Sequence, residues 1–140
     1  MTGTKIDGKI IAQTVKDRVK KATTELKSQG INPCLATVLI GNNPASATYV
    51  KNKHKACEEV GIITKDHKLD ENITQQQLSE IIDELNADVS VHGILVQLPL
   101  PKHLNEFATT SRISPIKDVD GLTPHNAGLL AMKKAALVAC

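Results

Sequence analysis

Aromatic residues are nearly absent from this sequence, which has one tyrosine, one phenylalanine and no tryptophan in 140 residues. A chain with so few aromatic side chains offers no stacking platform for bases, and its formal net charge of +2 argues against a basic surface that binds nucleic acid. No apolar run is long enough to cross a membrane, and the opening residues lack the build of a signal peptide. We therefore expect a cytoplasmic protein.

Cysteine is also scarce, and the three that occur, Cys34, Cys57 and Cys140, are far apart. Without a C-x-x-C pair they predict neither a disulfide framework nor a zinc site, so we expect Cys34 and Cys57 to pack as small apolar residues. The sequence has no G-x-G-x-x-G, no G-x-x-x-x-G-K-[ST] and no histidine pair at metal-ligand spacing. The residues themselves therefore predict no metal and no dinucleotide site.

Strand and helix patterns alternate along the chain. Short runs rich in apolar residues predict strands at residues 34–40, 62–69 and 92–98. Periodic patterns predict helices at residues 7–30, at 44–61, from Thr74 onward, at 104–112 and at 127–132, the first with an apolar stripe of Ile11, Val15, Val19, Ala22 and Leu26. This order predicts one α/β domain, a three-layer helix/sheet/helix fold with a mostly parallel sheet, whose ligands bind beyond the carboxyl ends of the strands.

The basic segment 51–55, KNKHK, divides on a helical wheel. At about 100 degrees per residue, Lys53 shares a face with Ser46, Tyr49 and Cys57, whereas Lys51 and Lys55 point away from it. One interpretation is that Lys53 snorkels along apolar surface into water, and spacing alone slightly favours this. The other is that Lys53 lines a ligand pocket, desolvated enough to act as an acid or base near neutral pH.

Two other features lie near predicted strand or loop ends. Gln97 is an amide at the end of an apolar strand, explained either by solvent at the strand end or by a ligand. The segment KDVDG, residues 117–121, resembles the start of a calcium loop, but Leu122 and Leu129 stand where that loop requires ligands. An acidic turn closed by Gly121 is the simpler interpretation of this segment.

Three long motifs in register, NPASATYVKNKHKACEEVGI, GILVQLPLP and KDVDGLTPHNAG, closely resemble the bifunctional methylenetetrahydrofolate dehydrogenase/methenyltetrahydrofolate cyclohydrolase family. The resemblance runs over nearly the whole chain. It implies a folate-binding catalytic domain paired with a separate C-terminal Rossmann domain, in a cytoplasmic and commonly homodimeric enzyme. Such enzymes serve one-carbon metabolism and purine biosynthesis: they oxidise 5,10-methylenetetrahydrofolate with NADP or NAD, then hydrolyse the 5,10-methenyl product to 10-formyltetrahydrofolate.

The resemblance also implies roles for individual residues. It makes Lys53 the catalytic lysine and Gln97 the glutamine that hydrogen-bonds it. It makes Tyr49 the ring that packs on the aminobenzoyl group and Asp120 the acid that binds the pterin, with Ser46 and Pro99 as further substrate contacts. The family needs no metal, and its partner is a small folate rather than a nucleic acid or a membrane.

The sequence departs from the family near its end, LVAC, and family members are about twice this long. We therefore expect residues 1–140 to be an incomplete catalytic domain, without the NAD(P)-binding domain and with at most weak cyclohydrolase activity by itself. One alternative is a truncated or non-catalytic folate-binding module that needs a partner chain. The other is a lyase that uses Lys53 as a Schiff-base nucleophile.

Overall fold

The structure, a computed structural model, describes residues 7–137. Helices and strands alternate over most of this length, as the sequence predicts. They are α1 (Gly8–Ser28), β1 (Cys34–Ile40), α2 (Pro44–Val60), β2 (Ile63–Leu69), α3 (Gln75–Ala87), β3 (Gly93–Val96), α4 (Glu106–Arg112) and α5 (Pro124–Ala131).

The strands form a parallel sheet in the order β2-β1-β3, so β1 lies at its centre. On one face, side chains of β1 and β3 pack against α3 in a buried cluster that includes Ala36, Val38, Ile94, Leu78 and Ile82. On the opposite face, Thr37 of β1 contacts His54 of α2. Helices therefore cover both faces, and the predicted α/β fold with a parallel sheet is confirmed.

The core depends on complete burial of aliphatic side chains from α3. Leu78 and Ile82 are both 0% exposed. Burial of one such side chain stabilises the fold by about 1.5–3 kcal/mol, so α3 is held mainly by this stripe. Cys34 and Cys57 are buried as well, as predicted, whereas Cys140 lies outside the described residues.

Cap residues explain where the helices begin and end. Asp7 caps α1, and the side chain of Asn43 accepts hydrogen bonds from the first-turn amides of α2. Gly61 ends α2 with a φ of 81°, a left-handed conformation that glycine adopts at little steric cost. Thr74 and Gln77 form a capping box at the start of α3.

β3 and α5 are among the elements that differ in extent from the sequence prediction. β3 ends at Val96 rather than Leu98, although Gln97 N still donates to the carbonyl of Val38 at 2.9 Å; Pro99, which has no amide hydrogen, cannot continue the ladder. α5 begins at Pro124, three residues earlier than predicted, because Thr123 caps it and proline fits the first helical position.

The apolar stripe of α1 is mostly exposed, which corrects the expectation that an amphipathic helix buries its stripe. Ile11, Val15 and Leu26 are 53%, 41% and 36% exposed. The buried residue of α1 is Thr23, whose hydroxyl donates a hydrogen bond to the carbonyl of Val60. α1 therefore packs on α2 through few contacts rather than over the sheet. None of the helices within residues 7–137 has the length and apolar character that a membrane span requires.

Candidate functional site

Lys53 and Gln97 meet where α2 passes the carboxyl end of β3. The ammonium Nζ of Lys53 donates a hydrogen bond of 3.3 Å to Gln97 Oε1. Gln97 Nε2 donates to the carbonyl of Leu98 at 2.8 Å, so the amide oxygen is turned toward the lysine. Lys53 is half-buried, whereas Lys51 and Lys55 are exposed, which is the division that the helical wheel predicts.

Asp120 lies close enough to Lys53 for the lysine charge to act on its carboxyl. Its half-buried carboxyl lies in the loop before α5. Burial raises the pKa of Asp120 above its ordinary value, the charge of Lys53 acts to lower it, and the charge of Asp118 acts to raise it. The structure thus brings Lys53, Gln97 and Asp120 together from α2, the end of β3 and a loop.

Tyr49 and Ser46 lie on the face of α2 that carries Lys53, but at different depths. Tyr49, one turn before Lys53, is 63% exposed, so its ring is not packed into the core. Its ring is free to stack on a ligand. Ser46, in the first turn of α2, is buried, and its backbone amide donates a hydrogen bond to Asn43 Oδ1.

Pro99 is exposed and lines a cleft of about 360 Å³ between the loops that follow β1 and β3. The cleft opens at the carboxyl edge of the sheet, where ligands of such folds bind. The substrate-contact roles of Ser46 and Pro99 stay predictions.

Asp118 is the residue whose importance sequence reasoning missed. It is 1% exposed, and its carboxylate accepts hydrogen bonds from Leu122 N at 3.2 Å, Thr123 N at 2.8 Å and Asn126 Nδ2 at 3.0 Å. Burial pushes the pKa of Asp118 upward, but these hydrogen bonds outweigh burial and hold it below its usual range. The signal was an aspartate at the start of a turn, where its side chain caps the amides that follow.

The loop that carries Asp120 is fixed from two further sides. Lys117 Nζ donates to three carbonyls at the end of α3, those of Leu85, Asn86 and Asp88, at 3.1, 2.8 and 2.8 Å. Gly93 in β3 lets Val119 pack directly on the strand, because a Cβ at Gly93 would lie 2.5 Å from Val119 Cγ1.

The strand-to-helix turns within residues 7–137 have no G-x-G-x-x-G pattern, the glycine arrangement that lets a pyrophosphate approach the backbone. Four helices in the same range also use one or two first-turn amides for their own caps. The capping side chains are those of Asn43, Thr74, Asn105 and Thr123. Over the same residues, no group of three or more His, Cys, Asp or Glu side chains is arranged to hold a metal ion.

Comparison with known proteins decides the family. Residues 6–120 match the family model of the tetrahydrofolate dehydrogenase/cyclohydrolase catalytic domain. The chain belongs to this family. It is similar to the bifunctional protein FolD of Nitrosopumilus maritimus (strain SCM1), with 82% identity over 140 residues, 100% of this chain and 49% of that protein.

Solved structures of bifunctional enzymes of this family are also similar to the chain. The crystal structure of FolD, methylenetetrahydrofolate dehydrogenase/cyclohydrolase, from Campylobacter jejuni has a TM-score of 0.94 and 49% identity, over 96% of this chain and 48% of that one. The Trypanosoma brucei methylenetetrahydrofolate dehydrogenase-cyclohydrolase, complexed with NADP cofactor and inhibitor, has a TM-score of 0.90 and 33% identity, over 99% and 48%. The chain thus spans about half the length of the relatives it matches.

The match to the tetrahydrofolate dehydrogenase/cyclohydrolase catalytic domain ends at Asp120. It includes Tyr49, Lys53 and Gln97, but it stops before Thr123 and Asn126, which hold Asp118. The supports of the Asp120 loop therefore come partly from residues beyond the matched segment.

Proposed function

We propose that residues 1–140 form the folate-binding catalytic domain of a 5,10-methylenetetrahydrofolate dehydrogenase/5,10-methenyltetrahydrofolate cyclohydrolase. The observation that carries this proposal is the hydrogen bond between Lys53 and Gln97, with Asp120 close enough to sense the lysine charge. Membership of the family supports it. The proposed setting is one-carbon metabolism and purine biosynthesis in the cytoplasm, with the whole protein a homodimer.

Lys53 is the proposed acid and base of the hydrolytic step. The methenyl carbon lies between two nitrogens that share its positive charge, so water adds to it and must lose a proton. The cationic methenyl ligand beside it favours the neutral form of Lys53, whose amine accepts that proton and returns one to the ring nitrogen as its carbon–nitrogen bond breaks. One water is consumed and one proton is released overall. Gln97 orients the amine and adds no charge.

Asp120 and Tyr49 are the proposed binding residues for the two ends of the folate. Two N–H donors at the edge of a pterin suit the Asp120 carboxylate, because such charge-assisted pairs are strong and directional. The exposed ring of Tyr49 suits stacking on the aminobenzoyl group. Ser46 and Pro99 are proposed as additional contacts.

For the oxidative step we propose NADP, or NAD, as the hydride acceptor of the whole protein, supported by the NADP named with the Trypanosoma brucei neighbour. The nicotinamide supplies the site that receives the hydride. Because residues 7–137 have no Gly-rich dinucleotide-binding turn, the 140-residue chain by itself is expected to form no NADPH.

Loss of the near-ultraviolet absorbance of 5,10-methenyltetrahydrofolate tests the proposal. We expect weak hydrolysis by the wild-type chain and a loss of about a hundredfold or more in Lys53→Ala, because general acid–base catalysis contributes about 10²–10⁴ in rate. Lys51→Ala is the matched control, since Lys51 is exposed on the same helix, and it should keep the wild-type rate.

Equal rates in Lys53→Ala and wild type would contradict the assigned role of Lys53. A chain that binds folate but shows no hydrolysis would favour a non-catalytic module. Covalent trapping of a substrate on Lys53 by borohydride would favour the lyase.

A further inference from the structure

Residues 118–123 form a closed loop around Asp120. At its start the chain is tied to β3, because Ile94 N donates to the Lys117 carbonyl at 2.7 Å and Ile94 bridges to Asp118. At its end the amides of Leu122 and Thr123 donate to the Asp118 carboxylate. One side chain thus joins both ends of the turn whose middle carries Asp120.

The same carboxylate connects this loop to α5. Asn126 donates from one amide nitrogen to Asp118 Oδ2 and to the carbonyl of Pro115, at 3.0 and 2.9 Å. Asn126 and Asp118 are 3% and 1% exposed, so water does not compete for these bonds. Buried charge-assisted hydrogen bonds of this kind hold a backbone in one conformation.

We propose that Asp118 is a positioning residue for Asp120: it closes the loop and sets the charge environment in which Asp120 meets its ligand. The inference rests on the proposed folate site. Asp118 contacts amides of its own loop and of α5 rather than the substrate, so it is not a catalytic residue.

The charges around Asp120 give Asp118 its second effect. Lys53 of α2 favours the ionised form of Asp120, and Asp118 opposes it from within the loop. The end of β3 contributes the neutral Gln97 to this cluster. Removal of the Asp118 charge should therefore make Asp120 lose its proton at lower pH, and by more than Asn126→Ala, which loosens the loop but keeps the charge.

Asp118→Asn is the decisive variant, since it keeps the side-chain size but offers one acceptor oxygen where three donors converge. Asp83→Asn is the matched control. It also removes a carboxylate that accepts two hydrogen bonds, from Arg112 at 2.7 and 2.6 Å, but it lies on α3 across the sheet from α2 and Lys53.

Two measurements on the full chain give separate readouts. Calorimetric titration with tetrahydrofolate gives the affinity at neutral pH. The carbon-13 shift of the Asp120 carboxyl, followed against pH without ligand, gives its titration midpoint. For Asp118→Asn we expect affinity about tenfold weaker than wild type and a midpoint moved to lower pH. Asp83→Asn should leave both unchanged.

Where the wild-type chain binds tetrahydrofolate, the inference requires both changes in Asp118→Asn, and absence of either overturns it. Failure of the wild-type chain to bind would refute the proposed function. The Asp120 midpoint then decides alone: a shift to lower pH supports the inference and an unchanged midpoint overturns it.

A second variant covers the case in which Asp118→Asn does not fold. Asn126→Ala removes one donor to Asp118 and keeps the acid. It should weaken tetrahydrofolate binding more than Asp83→Asn does. If the wild-type chain does not bind, Asn126→Ala should still move the Asp120 midpoint to lower pH, because a loosened loop buries Asp120 less, whereas Asp83→Asn should not. Equal effects of the two variants would overturn the inference.

Discussion

Replacing Gly93 with alanine measures how tightly the Asp120 loop is packed on β3. The new Cβ would lie 2.5 Å from Val119 Cγ1 and 3.4 Å from Leu35 Cδ1. Carbon atoms in contact prefer about 3.5–4.0 Å, so Val119 must move by about 1 Å. Its branched side chain has little rotational freedom, and the movement passes to the backbone between Asp118 and Asp120.

The magnitude follows from two opposing effects. Overpacking of this kind destabilises by about 1–3 kcal/mol. Alanine offsets about 0.4–1 kcal/mol of this, because it lowers the conformational entropy of the unfolded chain relative to glycine. We therefore expect Gly93→Ala to lower the free energy of unfolding by about 1–2 kcal/mol.

Urea unfolding followed by far-ultraviolet circular dichroism, on four proteins, tests the reasoning. These are the wild type, Gly93→Ala, Val119→Ala and the double variant. Val119 is 38% exposed, so Val119→Ala alone should lose about 1 kcal/mol or less. Because the truncated side chain leaves room for the new Cβ, Gly93→Ala should be nearly neutral in the Val119→Ala background. An equal effect of Gly93→Ala in both backgrounds would refute the steric explanation.

Two further predictions concern residues of the same loop. The raised pKa of Asp120 means that the folded state holds this proton more tightly than the unfolded chain does, so stability is lost as pH rises through the folded pKa. Asp120→Asn should therefore raise the urea midpoint of unfolding at pH 7 and leave it unchanged near pH 3. An unchanged midpoint at pH 7 would contradict this reasoning. Lys117→Met should lower the free energy of unfolding by about 1–2 kcal/mol in the same assay, because three carbonyls at the end of α3 lose a cationic donor. Lys102→Met, at an exposed position, should change the free energy of unfolding little. Equal losses in the two variants would count against the capping role of Lys117.

The sequence predicts α2 and the special position of Lys53 well, because both depend on local rules. Asn43, Pro44 and Gly61 mark the ends of the helix through their own backbone preferences. Helical spacing then assigns Lys53 to the inner face and its neighbours Lys51 and Lys55 to solvent. The same spacing does not say how deeply each residue of that face is buried: Ser46 is buried and Tyr49 is exposed, because periodicity gives the direction of a side chain and not where the neighbouring layer ends.

Features that depend on distant contacts were not predictable in this way. The stripe of α1 has the right period, but periodicity does not say which surface covers it, and Ile11 and Val15 are exposed. Asp118 has its partners in backbone amides and in Asn126, eight residues on, which meet only once the loop is folded. Glycine is needed at position 93 because Val119 packs against the strand there, and no local sequence pattern predicts that contact.

The bridge between Ile94 and Asp118 also bears on aggregation. In the part of the chain that the structure describes, β2 pairs with β1 alone, and Lys65, Asp66 and Lys68 make its open edge a poor template for another strand. β3 has no such charges, and all its residues are buried. Its outer edge is covered by the loop that carries Asp120, so disorder in that loop would uncover an apolar strand and reduce solubility together with ligand binding.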